Sequence, residues 1–380
     1  MHTVWPRASR ILAAHGVVPE HKYHQGDLTA GFAQIAGLTG APAQLLRRLH
    51  ANSGVQTRHL AMPLAELTAL RTFGEANDAF IEHGVALGAR ALSEAAETAG
   101  IPLDRIDLIV SATVTGLAVP SLDARIASLL GLRPDVRRMP LVGLGCVAGA
   151  AGIARVHDYL LGHPGHVAAF VSVELCSLTV QRDDPSTANL VASGLFGDGA
   201  ACVLMAGAEA PGAGSGAAET VGAAGAAETT GRPRPSLAVL GTRSRLYPDS
   251  ARLMGWDVRE TGLRIVLGAD VPDLVEANVR ADVDEFLAGH EMVRGDVAFW
   301  VAHPGGPKVL EALHSSLDVD REALRLTWNS LERVGNLSSA SVLHVLADTL
   351  RERPPAAGSR GVLLAMGPGF CLECVLLEAR

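Results

Sequence analysis

The chain has 380 residues, 48% of them apolar and 19% charged. That is too long for one small domain and rich enough in apolar side chains for a sizeable core, so two or three units are expected and disorder or a coiled coil is disfavoured. With 32 Lys and Arg against 40 Asp and Glu, the net charge of −8 argues against nonspecific nucleic-acid binding.

From the N-terminus, the apolar run Ile11–Ala14 stops at His15 and Gly16, well short of a signal-peptide core. HKYH at 21–24 reads as a solvated segment. A helix is expected over Ala79–Ala99, stopped by Gly100 with Pro102 just beyond. Asp107–Val114 then reads as a strand. The charge-free stretch between Arg138 and Arg155 is broken by glycines and a proline and falls short of the ~18–20 residues that span a bilayer. Further strands are expected at His166–Val173, Ala200–Met205, Ser236–Gly241, Val297–Ala302 and Gly361–Met366. Several are apolar on both faces, as in a central sheet covered by helices on either side, and the alternation of strand and helix points to an α/β fold.

Residues 206–235 consist almost wholly of Ala, Gly, Glu, Thr and Pro. They lack the apolar surface to offset their ordering entropy and read as a flexible insertion. They separate an N-terminal half, 1–205, from a C-terminal half, 236–380; strand and helix alternate in both, without sequence identity between them. Cysteines at 146, 176, 202, 371 and 374 are odd in number and scattered, so a thiol-reduced, cytoplasmic protein without disulfides is expected. CLEC at 371–374 has ligand spacing but no second Cys or His pair. In a strand its two thiols would point to opposite faces, so no metal site is expected.

The densest local signal is MPLVGLGCVAGAAG at 139–152, a strand ending in glycines followed by a small-residue helix. Three readings stay open there. Cys146 can be a nucleophile at a strand-to-helix turn, its thiolate favoured by the positive end of the helix dipole. Gly143-x-Gly145-x-x-Ala148 can be a dinucleotide fingerprint, with Glu174 ending the next strand, which would make the protein an oxidoreductase. Or the segment is a tightly packed buried helix with an inert thiol. Downstream, VAFWVAHPGGP at 297–307 places His303 at the mouth of a strand, suited to acid–base or oxyanion work. RVGNLSSAS at 333–341 places Asn336 before a helix, where an N-cap is the ordinary account. A dinucleotide site has no use for His303 and Asn336; a thiolate does, because Cys, His and an amide donor form a set for acyl transfer through thioesters.

Cys146 in GLGC, GLFGDGAA at 194–201, His303 in HPGGP, GNLSSAS at 335–341 and MGPGF at 366–370 together resemble the type III polyketide synthases, the chalcone-synthase-like members of the thiolase fold. ELCSLT at 174–179 and GWDVRETGLRIVL at 255–267 are similar to bacterial members. The resemblance implies a thiolase-like five-layered α/β/α/β/α sandwich of two similar halves, assembled as a homodimer. It implies that Cys146 carries the acyl chain as a thioester, kept ionised by His303, while His303 and Asn336 hold the thioester oxygen during decarboxylation of malonyl-CoA. Phe196 matches the gatekeeper between CoA tunnel and cavity. Arg58, Gly305, Gly306 and Ser338 match positions toward CoA, although Arg58 by itself reads as a solvated surface arginine. No cofactor beyond the CoA thioesters is implied.

Matched cavity positions are Val114, Thr115, Val119, Cys176, Thr179, Trp256 and Ile265. Relative to plant chalcone synthases, Trp256 replaces a glycine and Ile265 a phenylalanine. The indole should exclude an aromatic starter, and Ile265 with Val114 and Val119 should suit a fatty acyl chain. An aliphatic acyl-CoA starter and an alkylpyrone or alkylresorcinol product are therefore expected. The alternatives are a tetrahydroxynaphthalene made from malonyl-CoA alone, a single-condensation ketoacyl synthase of the same fold, and a thiolase-fold binding protein without catalysis.

Overall fold

The computed structural model describes residues 8–210 and 236–380. The strands in chain order are β1 (Ser9–Val17), β2 (His21–His24), β3 (Thr57–Leu60), β4 (Leu108–Ala112), β5 (Arg137–Leu141), β6 (Val167–Leu175) and β7 (Asp198–Ala206). The second half adds β8 (Leu237–Leu246), β9 (Met254–Arg259), β10 (Gly262–Leu267), β11 (Phe299–Ala302), β12 (Arg360–Gly367) and β13 (Cys371–Ala379). Nine of them form one continuous mixed sheet, in the order β11-β12-β13-β8-β1-β7-β6-β4-β5. The halves join where β1 meets β8 over three residue pairs, Ser9 with Val239, Arg10 with Ala238 and Ile11 with Leu237.

Helices divide this sheet into layers. The helix Phe73–Ala99 covers β7, β1 and β6 from outside, and Val271–Ala288 with Pro307–Leu317 cover the other arm. Ala148–Gly162 and Ser341–Glu352 lie between the arms, touching strands of both. The apolar residues separate accordingly into a central core around Val147, Ile153, Leu343 and Leu346 and an outer core on each side. This is the five-layered arrangement expected. It explains why β6 and β7 are buried at every position: a strand with helices on both faces has no solvent side on which to place polar residues.

The expected strands are present within a few residues of their anticipated ends. The helix expected at 79–99 starts earlier, at Phe73, where Thr72 and Glu75 form a capping box. It ends as anticipated at Gly100, in the left-handed conformation (φ 69°). HKYH at 21–24 is not a loose solvated segment but β2, paired with β3 and alternating in burial. The run at 11–14 belongs to β1, the strand at the centre of the sheet order. CLEC opens β13, where Cys371 packs toward the central core and Cys374 toward the outer one. Among the described residues no cluster of ligating side chains could hold a metal ion, and no helix is long and apolar enough to cross a membrane. Of the expected insertion at 206–235, Ala206 ends β7, Gly207 donates to the His166 carbonyl and Ala210 is buried; residues 211–235 lie outside the described set.

His50, 1% exposed, is neutral in this fold: burial, and then the neighbouring Arg58, push its pKa down to about 4. The unfolded chain protonates this group as pH falls through about 6.5, so its stabilisation is complete above that pH and fades below it. The cost of His50→Gln, measured by urea unfolding, is expected to shrink by about 2 kcal/mol between pH 7.5 and pH 5. An equal cost at both pH values would reject a neutral buried imidazole.

Candidate active site

The two central helices open in the same way, each through one 3-10 turn: Gly145–Val147 before Ala148–Gly162, and Ser338–Ala340 before Ser341–Glu352. The turns abut. A Cβ on Gly149 would lie 2.4 Å from the Ser339 carbonyl oxygen, and one on Gly145, itself at φ 56°, 2.6 Å from Pro368. Gly145 and Gly149 thus serve close approach of protein to protein at this turn, while Gly143 faces open space. That counts against the dinucleotide reading, because Gly145, the second glycine of the fingerprint, is already packed against Pro368.

This abutment brings Cys146 to the Asn336 segment. Cys146 Sγ lies 3.6 Å from Ser338 Oγ, and the nearby Asn336 side chain favours its thiolate. Asn336 is 2% exposed. Its Oδ1 accepts from Ser338 N (2.8 Å) and Ser341 Oγ (3.2 Å), and its Nδ2 points at Gly305 O (3.4 Å). With the amide oxygen occupied twice, the NH2 group is fixed as the donor face. His303 follows β11, 3% exposed, held by its N–H to Leu364 O (3.0 Å) and by Gly305 N donating to its carbonyl (2.9 Å). Its ring Nδ1 is buried without a hydrogen-bond partner among the described residues. Asn336 is therefore no helix N-cap: Ala340 holds that place.

Burial pushes the Cys146 thiol up to about 12 and the His303 imidazole down to about 3. Desolvation thus favours a neutral thiol and a neutral imidazole, against the ion pair expected between them. The bonds from Ser338 and Asn336 act the other way, toward the thiolate. Burial raises the Cys176 thiol still more, helped by Glu174 and Asp198.

Phe196 caps the helix Thr187–Leu195 and forms a parallel bridge to Asn336, with Asn336 N donating to Leu195 O and Gly197 N to Asn336 O, both 2.9 Å. A cavity of about 60 Å³ is lined by Phe196, Cys176, Thr179, Trp256, Ile265 and Arg58. Trp256 and Ile265 are directly opposed across the β9–β10 hairpin and form one wall. Thr115 and Thr179 also face a larger neighbouring cleft. Gly306, at φ 139°, packs on Leu195 at the start of the helix Pro307–Leu317.

Two expected positions fall elsewhere. Val119 is 97% exposed on the loop after β4, so it is no cavity wall in this chain, and Val114 lines neither the cavity nor the cleft. Of the three aliphatic positions, Ile265 lines the cavity within the single chain. Arg58 is not a solvated arginine: it is 5% exposed, and its guanidinium is turned inward onto Gln25 Oε1 and the carbonyls of Ser193 and Phe196, which leaves it poorly placed for CoA phosphates. Two buried carboxylates had no assigned role from sequence. Glu174 accepts from Ser339, Val114 N and Thr115 Oγ1, and Asp198 accepts from Ala61 N and from Ser177. Both sit inside the quoted blocks ELCSLT and GLFGDGAA; a carboxylate at the buried end of an apolar strand was the available signal.

Family models for the chalcone and stilbene synthases match the chain, the N-terminal domain over residues 6–210 and the C-terminal domain over residues 239–379. The chain is 49% identical to the 1,3,6,8-tetrahydroxynaphthalene synthase of Streptomyces peucetius subsp. caesius over 377 residues, 99% of this chain and 95% of the relative. It is 31% identical to the enzyme of the same name from Streptomyces griseus over 94% of this chain and 89% of that one. The crystal structure of 1,3,6,8-tetrahydroxynaphthalene synthase from Streptomyces coelicolor A3(2) superposes with a TM-score of 0.85 at 28% identity, covering 97% of this chain and 98% of that one. With a buried Cys146 abutting the Asn336 turn in a five-layered sandwich, and family models spanning both halves, the chain belongs to the chalcone and stilbene synthase family and is a type III polyketide synthase, an acyltransferase of the bacterial kind.

Proposed function

We propose that this enzyme builds a tetrahydroxynaphthalene-type product from malonyl-CoA alone, used as both starter and extender. The observation that carries the reading is the Trp256–Ile265 wall, together with the 49% identity to an enzyme named for that product. Trp256 and Ile265 narrow the cavity they share with Phe196 and Cys176, which favours a chain of two-carbon units over a long alkyl tail. Of the positions behind the fatty acyl starter, only Ile265 lines the cavity within one chain, while Val119 lies on the exposed loop after β4.

In this reading Cys146 Sγ attacks the thioester carbonyl of malonyl-CoA, its proton passing to His303, and CoA leaves as the thiol. A second malonyl-CoA then loses CO2. The electron pair of the broken C–C bond moves onto the thioester oxygen, where Asn336 Nδ2 and the His303 ring donate hydrogen bonds. The enolate carbon attacks the acyl carbonyl on Cys146, and Cys146 is released as the thiolate. Repeated rounds, ring closure and aromatisation complete the product. The charge is handled by fixed donors, so the steps need no metal or redox cofactor. A homodimer is also proposed. Leu117 and Val119 after β4 and Val142 after β5 are exposed apolar residues at one end of two parallel strands, a surface suited to a second copy.

Purified enzyme given malonyl-CoA alone is expected to release a tetrahydroxynaphthalene-mass product by mass spectrometry; a product only when a long acyl-CoA is added would overturn the proposal. Cys146→Ala should abolish acyl-enzyme formation. Asn336→Ala should lower malonyl-CoA decarboxylation by ~100-fold, the scale of losing one oxyanion donor, while acylation of Cys146 falls far less; equal losses would reject its assigned role. Trp256→Gly should admit bulkier acyl-CoA starters, and an unchanged starter profile would count against the wall.

A further inference from the structure

The helix Thr187–Leu195 ends directly at the gatekeeper, and its last carbonyls have no partners inside the helix. Two polar side chains from the N-terminal segment meet them, and a third meets the Ser193 hydroxyl. Arg58 Nη1 donates to Ser193 O and to Phe196 O, both at 2.7 Å. Gln25 Nε2 donates to Gly194 O at 2.6 Å, and its Oε1 accepts from Arg58 Nε at 3.1 Å. His50 Nε2 lies 3.1 Å from Ser193 Oγ. A cation at the C-terminal end of a helix is well placed, and the buried Asp198 carboxylate offsets part of its charge.

Arg58 also reaches the other side of the site. Its Cγ and Cδ would lie 3.2 Å from a Cβ on Gly335, the residue before Asn336, and Gly335 is at φ 76°, a conformation that favours glycine. The Phe196–Asn336 bridge closes the circuit. One buried arginine therefore bonds through its guanidinium to the Phe196 arm of that bridge and lies with its methylene stem beside Gly335 on the other arm, and it lines the same cavity as Phe196. A buried cation is costly, and bonding the ends of this helix would not by itself require the cation to face the cavity.

We propose that Arg58 is a positioning residue that holds the Phe196 gate and the Asn336 donor in one register, and thereby sets how many condensations a chain undergoes before release. The inference rests on the polyketide reading above. Lysine cannot replace it in kind, because a single ammonium on a flexible stem does not reproduce the fork that spans Gln25 and two carbonyls.

The test compares wild type, Arg58→Lys and Arg58→Met with malonyl-CoA, counting competent sites by alkylation of Cys146 with labelled iodoacetamide. The readout is the ratio of short, prematurely released pyrones to full-length product, with kcat per labelled site. An arginine that only supports the fold would lower Tm and the number of sites and leave both quantities unchanged. We expect the ratio to shift roughly tenfold toward short products, with kcat per site falling by a similar factor, as small misplacements of reacting groups cost, and Met to exceed Lys. An unchanged ratio and an unchanged kcat per site would overturn the proposal. If Arg58→Met does not fold, Arg58→Lys decides it, with Gln25→Met, which removes Arg58's orienting acceptor, expected to shift the ratio the same way. Failure of the malonyl-only reading shows separately, in the wild-type arm: product then appears only with an added acyl-CoA, and the Arg58 ratio is read on that product.

Discussion

Everything at this site depends on two helix-opening turns being able to touch. The helices that begin after Cys146 and after Ser338 lie in the middle layer, between the two arms of one sheet, and their first turns meet where Gly149 leaves no Cβ in front of the Ser339 carbonyl. A side chain there would separate the turns and take Cys146 away from Ser338 and Asn336. The same contact brings the N-terminal ends of both helices, the positive ends of their dipoles, into one region. A chemistry that develops negative charge on a thioester oxygen is served by that arrangement.

The cost of such a site is buried charge, and the chain meets it with dense local hydrogen bonding. Glu174, raised in pKa mainly by desolvation, binds the loop after β4 to the turn at Ser339. Asp198, raised to about 6 by the same cause, binds β7 to Ala61 and Ser177. Arg58, lowered to about 10 by burial, binds the gatekeeper's helix. Leaving such a buried group without a hydrogen-bond partner typically costs ~1–3 kcal/mol and more for a charged one, so these groups rigidify the walls of the cavity as much as they stabilise the fold. They stand behind the reacting atoms, one step removed from substrate.

In the proposed reading, substrate choice follows from one cross-strand pair. Trp256 and Ile265 face each other across a two-stranded hairpin that lies outside the main sheet, so their size shapes the cavity without disturbing the core. Identity at single positions suggested an aliphatic tunnel, of which Val119 stands on the surface of the single chain. A position in a loop after a strand carries no information about which side of the molecule it will face, whereas a position inside a paired strand does.

Read alone, the amino-acid sequence determined the layered α/β class, most of the strands, the helix stop at Gly100, and the residues Cys146, His303 and Asn336. Those features are local: apolar runs buried on both faces, a glycine at a left-handed cap, and reactive side chains at the ends of strands or the starts of helices. It left β1, β2, β3, β9 and β10 unrecognised and β13 conditional, because a central strand with a histidine and a glycine, and short strands of the two-stranded sheets, carry weak signals until their partners are known. Only the tertiary structure decided that Gly145 and Gly149 serve close packing of the turns, that Arg58 points inward, and that Val119 points out. Each of these turns on contacts between residues far apart in the chain, Gly149 with Ser339, Arg58 with Phe196, and no local pattern of residue types encodes which distant carbonyl a glycine or a guanidinium will meet.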